Sequence, residues 1–168
     1  MRIREEEAGD AAAVRSVNER AFGRRNEADL VEAVRAAGAA TLSLVAEEDG
    51  AVVGHILFSP VEVDSPSGAW LAVGLGPMSV PPDLQRQGIG AELVRQGLER
   101  LRRAGHRAVM LVGHPSYYPQ FGFADGARFG LRWEVDAPAG VFQVLELVPG
   151  ALAGRGGVAR FRPEFANV

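Results

Sequence analysis

The feature that most constrains the fold is a change of apolar period near residue 88. From Gly88 to Gly105 the apolar side chains recur every three to four positions, which predicts one amphipathic helix. Residues 108–112 are then wholly apolar, as is typical of a strand buried on both faces. A helix that joins two strands of one sheet is a right-handed crossover. The strands before and after this helix are therefore expected to run parallel.

The remaining pattern predicts strands that alternate with helices or with short turns. Asp10 and Asn26 are predicted to cap two helices, the second of which ends near Gly38. The predicted strands are residues 2–5, 41–47, 51–63, 69–80, 108–112, 129–135, 142–147 and 157–161, the last of them at a sheet edge. The order β-α-α-β-β-β-α-β-α-β-β predicts a single α/β domain over residues 1–168, with a mixed, mostly antiparallel sheet flanked by helices.

Composition excludes several kinds of chemistry. The 168 residues include no Cys, so a thiol nucleophile, a Cys-ligated zinc and an iron–sulfur cluster are excluded. All 18 Lys or Arg residues are Arg, which excludes Schiff-base lysines and the Walker A loop. A net charge of -3 argues against a nucleic-acid partner. The charged N-terminus, and the lack of any run of about 20 apolar residues, indicate a cytoplasmic protein without a membrane partner.

The segment from Val80 to Ala91 has the features of a phosphate-binding turn. A helix N-terminus leaves backbone N–H groups unpaired and carries a partial positive charge, so it attracts anions. Gly88 and Gly90 would let a phosphate approach that backbone, and Arg86 could add a charged contact. The alternative is that the glycines serve only close packing. The third glycine of a dinucleotide fingerprint is missing.

The spacing Gln-x-x-Gly-x-Gly from Gln85 resembles the acetyl-coenzyme A (acetyl-CoA) motif of the GCN5-related N-acetyltransferases, the GNAT family. Residues 115–123, with a Tyr followed by Gly-Phe, resemble a second hallmark of that family. Residues 76–80 and 144–150 are similar to its YhbS-like branch. The resemblance covers nearly the whole chain and agrees with the order of elements predicted above.

The resemblance implies that the parallel fourth and fifth strands, residues 74–80 and 108–113, splay apart around acetyl-CoA as cosubstrate, with no metal. Strand residues Met78 and Val80 would bind the pantetheine arm, and a backbone N–H near Val80 would polarise the thioester. Gly74 and Gly76 are expected at a bulge or a close backbone approach. The implied cofactor-binding residues are Met78, Ser79, Val80, Gln85, Arg86, Gln87, Gly88, Ile89, Gly90 and Ala91.

The implied reaction is acetyl transfer to an amine by direct attack, with Tyr118 as the acid that protonates the departing thiolate. Tyr117 is expected to be structural, as are His55 and His106. The general base is left open. Its candidates are Glu27, Asp29, Glu47 and His114, with a water chain as an alternative.

Two other function classes remain as alternatives. One is a regulatory module that binds an acyl-CoA without chemistry, and the other is a metal-dependent enzyme that uses His55 and His114 with Glu62 or Glu146.

The acceptor is a further expectation. Residues 1–50 hold eleven Asp or Glu against seven Arg, which favours a cationic small amine or a protein amino group. The region of Trp133 and residues 138–140 could form another wall of the site. The apolar residues 142–161 could pair two copies, so a monomer and a homodimer both stay open.

Overall fold

The computed structural model describes all 168 residues, which form nine strands and three α-helices. In chain order these are β1 (Arg2–Glu5), α1 (Ala11–Phe22), α2 (Asn26–Ala36), β2 (Leu42–Glu48), β3 (Ala51–Asp64), β4 (Trp70–Ser79), α3 (Ile89–Arg103), β5 (Ala108–Val112), β6 (Ala124–Asp125), β7 (Leu131–Trp133), β8 (Phe142–Glu146) and β9 (Gly157–Arg160). No helix has the length and apolar character that crossing a membrane requires.

The strands form one mixed sheet in the order β1-β2-β3-β4-β5-β8-β6. The β4–β5 pair is parallel, as the crossover through α3 predicted, and β7 pairs parallel with β9, whereas the other pairs are antiparallel. The long strand β3 pairs with β2 over its first half and with β9 near its end. The mixed, mostly antiparallel sheet expected from the sequence is confirmed.

The helices cover both faces of the sheet because side chains alternate along each strand. Val45 and Leu57 face one side, where they pack against α1 and α2. The neighbouring residues Leu44 and Phe58 face the other side and form a core with α3. This second contact is close, since a Cβ atom added at Gly97 of α3 would lie 2.5 Å from the Phe58 ring. Glycine at this position allows α3 to sit directly on the sheet.

Two helix caps differ from the prediction. Asp10 precedes α1 but does not cap it, because its carboxylate binds Arg4 and accepts the backbone N–H of Glu7. Asn26 is the first residue of α2 rather than its cap, and its side chain donates to the carbonyl oxygen of Asn167. Both side chains are used in tertiary contacts that a local capping pattern does not reveal.

The C-terminal half contains the other corrections. The helix expected after β5 is only a single 3-10 turn, Tyr118–Phe121, because Pro119 and Gly122 interrupt any longer helix. The strand expected at a sheet edge, β9, is instead paired on both sides, with β3 and β7. Strand β8 pairs with β5 over all five of its residues, and with β6 at Gln143 and Val144 only.

Candidate functional site

The sheet splits between β4 and β5. These strands pair at only two positions, Val73 with Val109 and Gly74 with Met110, although β4 continues to Ser79. On its other side β4 stays paired with β3 through a bulge, where Leu75 to Met78 oppose Phe58 to Ile56. Backbone groups of β4 that point toward β5 beyond Gly74 therefore have no strand partner. The split predicted from the resemblance is present.

Gly74 and Gly76 serve different purposes at this point. A Cβ atom at Gly74 would lie 2.8 Å from Val61 Cγ2 and 3.2 Å from Phe161 Cε1, so this glycine permits a close approach. Gly76 lies within the bulge and has a φ of 147°, a conformation that side-chain-bearing residues rarely adopt. Both of the roles expected from the sequence occur, one at each glycine.

A cavity of about 1060 Å³ opens into the split and extends along the start of α3. Its volume is slightly above the roughly 300–1,000 Å³ that is usual for small-molecule sites. Eight of the ten predicted cofactor-binding residues line it: Met78, Val80, Gln85, Arg86, Gly88, Ile89, Gly90 and Ala91. The other two do not, because Ser79 is buried on the α1 side of β4 and Gln87 is exposed to solvent.

The start of α3 is shaped to receive an anion. Gly88 precedes the helix with a left-handed φ of 87°, and no side chain caps the first turn. The N–H groups of that turn therefore stay unpaired and face the cavity with a partial positive charge. A Cβ atom at Gly88 would meet nothing within 4 Å, so the approach to this backbone is open. Arg86 lines the same end of the cavity.

The loop before α3 is held by its own contacts. The side-chain Nε2 of Gln85 donates to the carbonyl oxygen of Val80 at 2.9 Å, which ties the loop to the end of β4. Arg86 adopts a left-handed φ of 63°, which is unusual for a residue with a side chain. Gln85 thus fixes the loop in addition to lining the cavity.

Tyr118 and Tyr117 both line the cavity. The Tyr118 ring packs edge-to-face against Phe123, with centroids 5.9 Å apart, and closely over Gly113. Burial raises the pKa of Tyr118 to about 12, and it also raises the pKa of Tyr117. The Tyr117 hydroxyl lies 3.3 Å from the position of a Cβ atom at Gly90, beside the start of α3. Tyr117 is therefore a cavity residue that sequence reasoning treated only as packing.

The four candidate bases divide into two groups. Glu27 and His114 line the cavity, and Glu27 is only 5% exposed. Its carboxylate is bound by Arg24, with Nε at 2.8 Å from Oε1. Asp29 and Glu47 do not line the cavity, because Asp29 pairs with Arg15 and Arg25 on the outside of the helices and Glu47 pairs with Arg4.

The far end of the cavity is walled by aromatic side chains from distant parts of the chain. Phe22 comes from the end of α1, Trp133 from β7, and Phe161 and Phe165 from the C-terminal segment. Trp133 was expected there, whereas residues 138–140 do not reach the cavity. The other three were missed, since only the topology brings them together.

A chain of buried polar groups lies on the other side of β4, under α1. The Ser79 hydroxyl donates to Asn18 Oδ1, and Asn18 Nδ2 lies 3.2 Å from His55 Nδ1. His55 Nε2 lies 2.9 Å from the Ser43 hydroxyl, which donates to the carboxylate of Glu6. Because Asn18 Nδ2 can only donate, Nδ1 of His55 must accept and its proton must be on Nε2. Every hydrogen bond in this series is then donated in the same direction, from Ser79 toward Glu6.

The charge states of His55 and Glu6 in this series of hydrogen bonds follow from burial and from the groups around Glu6. Complete burial lowers the pKa of His55, so the imidazole is neutral at pH 7. Burial alone would raise the pKa of Glu6, but His55 Nε2 at 3.7 Å, the hydrogen bond from Ser43 and the charge of Arg35 outweigh it and lower the pKa to about 2. No cluster of three or more His, Asp or Glu side chains is arranged to hold a metal ion. His55 is completely buried, lies within hydrogen-bond distance of Asn18 and Ser43, and does not line the cavity.

Comparison with known families agrees with the geometry of the cavity. A family profile described as an acetyltransferase (GNAT) domain matches residues 2–125. The uncharacterized N-acetyltransferase YhbS of Escherichia coli strain K12 is 37% identical over 166 residues, which are 98% of this chain and 98% of that protein.

Two solved structures are similar over nearly the whole chain. The crystal structure of the Escherichia coli YhbS in complex with CoA has a TM-score of 0.92 and 36% identity, and covers 98% of this chain and 91% of that one. A GNAT family acetyltransferase from Brucella melitensis in complex with acetyl-CoA has a TM-score of 0.80 and 41% identity, over 98% of this chain and 97% of that one.

Proposed function

This chain belongs to the GNAT acetyltransferase family, and on that premise we propose that it transfers the acetyl group of acetyl-CoA directly to the nitrogen of an amine. The observation that carries the proposal is that one cavity contains the unpaired start of α3, the open edge of β4 and the Tyr118 side chain. We also propose that residues 1–168 act as one acetyltransferase domain, since the relatives named above match 98% of the chain.

The cosubstrate would be held mainly by backbone groups. The N–H groups at Ile89, Gly90 and Ala91 would bind the pyrophosphate, and Arg86 would add charge from the side. The free edge of β4 would pair with the pantetheine amides, as a strand would. CoA and acetyl-CoA, bound by the two similar structures, are the ligands expected for such a site.

The chemistry would require one oxyanion site and one acid. A backbone N–H near Val80, fixed by the tie from Gln85, would stabilise the oxyanion formed when the amine attacks the thioester carbonyl. The carbon–sulfur bond of this oxyanion then breaks and releases the CoA thiolate, whereas the new carbon–nitrogen bond remains. Because burial holds the pKa of Tyr118 at about 12, its phenol keeps its proton at neutral pH and can give it to the thiolate. The attacking nitrogen would lose one proton to solvent and the Tyr118 phenolate would regain one from solvent, so that amine and acetyl-CoA give the acetylated amine and CoA.

The first experiment measures thermal unfolding with and without acetyl-CoA, with CoA and NADH as comparisons. A ligand at about one hundred times its dissociation constant contributes roughly 2.7 kcal/mol and should raise the midpoint by a few degrees. Stabilisation by both CoA species but not by NADH is expected. No shift at millimolar acetyl-CoA would overturn the proposal.

The second experiment separates catalysis from binding by following thiol release with a panel of amines. Tyr118→Phe should lower kcat by about 10²- to 10⁴-fold and leave the Kd for acetyl-CoA unchanged. Tyr117→Phe is the matched control and should retain most of the wild-type kcat. If wild type binds acetyl-CoA but releases no thiol with any amine, the protein is instead a non-catalytic acyl-CoA sensor.

A further inference from the structure

We infer that the acceptor is a primary monoamine on an apolar, preferably aromatic, carbon skeleton. The inference rests on the proposed function and names its substrate class. It narrows the expectation of a cationic small amine or a protein amino group, which came from the acidic balance of residues 1–50. The reasons are the aromatic wall, the exposed apolar rim and the small number of charges in the cavity.

The aromatic wall stands directly beside the split in the sheet. Trp133 and Phe161 pack edge-to-face with centroids 6.4 Å apart, and Phe161 and Phe165 follow at 5.8 Å. Phe161 lies against Gly74, the last residue of β4 that pairs with β5. An acceptor nitrogen at the split would therefore have its carbon skeleton against these rings. Such a surface suits an apolar or aromatic group.

The rim of the cavity exposes apolar side chains that a ligand could cover. Seven large apolar side chains of the chain are exposed, and three of them line this one cavity: Phe22 at 41%, Val112 at 40% and Val168 at 47%. Exposed apolar surface concentrated at the mouth of a cavity is typical of a binding site for an apolar molecule.

The cavity itself contains few charges. Glu27 and Arg86 are the only Asp, Glu or Arg residues that line it, and Arg86 lies at the opposite end, by α3. The acids that give residues 1–50 their negative balance are largely bound by Arg elsewhere, as in the pairs Asp10–Arg4, Asp29–Arg15 and Glu6–Arg35. A polyamine would therefore bring several positive charges to a site with one side-chain carboxylate.

Glu27 is suited to a neutral amine in particular. Arg24 already binds both of its carboxylate oxygens, so the pair carries no net charge. Such a pair stabilises an additional ammonium only weakly, which favours loss of the amine proton in the cavity. The Glu27 oxygens can still accept an N–H of the neutral amine and orient its lone pair. A neutral amine is the form that attacks a thioester.

The test compares amines at saturating acetyl-CoA. Phenethylamine and hexylamine should give kcat/KM values at least about tenfold above those of spermidine and of a basic lysine-containing peptide. Preference for spermidine or for the peptide would overturn the inference while leaving the proposed function intact. Absence of acetyl-CoA binding, or of turnover with every amine, would overturn both.

A variant pair tests the apolar rim. Phe22→Ala should raise the KM for phenethylamine about three- to tenfold, with little effect on spermidine or on the Kd for acetyl-CoA. The control is Leu71→Ala, which removes an apolar side chain that is 70% exposed and outside the cavity. An equal effect of Phe22→Ala on all amines would contradict the inference.

Binding can also be followed without turnover. Trp133 lines the cavity and Trp70 does not, and the chain has no other Trp. Phenethylamine alone should change the tryptophan fluorescence of the wild type, and Trp133→Phe should remove that change. A response that persists in Trp133→Phe would place the amine elsewhere and refute the inference.

Discussion

Replacing His55 with Gln should flatten the dependence of stability on pH between about pH 6.5 and pH 5. Burial lowers the pKa of His55 in the folded state, whereas the unfolded chain has the ordinary value near 6.5. Between these two values the unfolded state binds one more proton than the folded state. The stabilisation is therefore complete above pH 6.5 and decreases as the pH falls toward the folded pKa.

The size of the effect follows from the same linkage. Each pH unit between the unfolded pKa of His55, near 6.5, and its lower folded pKa costs about 1.4 kcal/mol, so the wild type should lose stability progressively as the pH falls through this window. The carboxyls of Glu6 and Asp10, whose pKa values are both lowered to about 2, lose their stabilising effect mainly below their unfolded values of 4.5 and 3.8. Above pH 5, therefore, the pH dependence of stability comes chiefly from His55 among the groups whose pKa the fold shifts.

The assay is urea unfolding followed by circular dichroism at pH 5, 6 and 7, with the slope m checked for constancy. Gln is uncharged and keeps a donor and an acceptor, although imperfect hydrogen bonds should cost about 1–3 kcal/mol at every pH. His106→Gln controls for loss of a histidine as such. Equal wild-type stability at pH 5 and pH 7, or an unchanged pH dependence in His55→Gln, would refute the reasoning.

Substitutions at three further positions test two close contacts and one unusual backbone conformation. Gly97→Ala should destabilise the protein by about 1–3 kcal/mol, because the new Cβ would lie 2.5 Å from Phe58. The midpoints of urea unfolding would show this loss. The control is Gly9→Ala, whose new Cβ would meet nothing within 4 Å. Gly113→Ala would place a Cβ 2.9 Å from Tyr118 Cε2. The fold decrease in kcat for acetyl transfer should exceed the fold increase in the Kd for acetyl-CoA. Arg86→Gly should be about 1 kcal/mol more stable than Arg86→Ala, because position 86 has a φ of 63°. Calorimetry should show that both variants bind acetyl-CoA more weakly than the wild type does.

The sequence predicted those parts of the fold that local patterns record. The apolar stripe of α3 and the apolar run of β5 predicted the crossover, because each pattern follows from the burial of its own element. Partner choice is not local, so the pairing of β9 on both sides was not predicted. The two-residue strand β6 is too short to produce a periodic pattern.

The same distinction applies to the site. The start of α3 was predicted because Gly88 and its neighbours form a continuous motif. The aromatic end was largely missed because Phe22 and Phe165 are far apart in sequence and meet only through the packing of α2 against the C-terminal turn, Pro163–Asn167. The acidic balance of residues 1–50 says nothing about pairing, since a count of charges does not show that Asp10, Asp29 and Glu6 are bound by Arg.

The split in the sheet also bears on self-association. A free strand edge is a template on which strands of other molecules can assemble into aggregates. In this protein the free edge of β4 lies inside the molecule, beyond two paired positions and between β5 and the start of α3. A thin, flexible ligand can reach such an edge, whereas the strand of another folded sheet is too bulky to align with it. The protein can thus keep unpaired backbone for binding and remain protected against edge-to-edge aggregation.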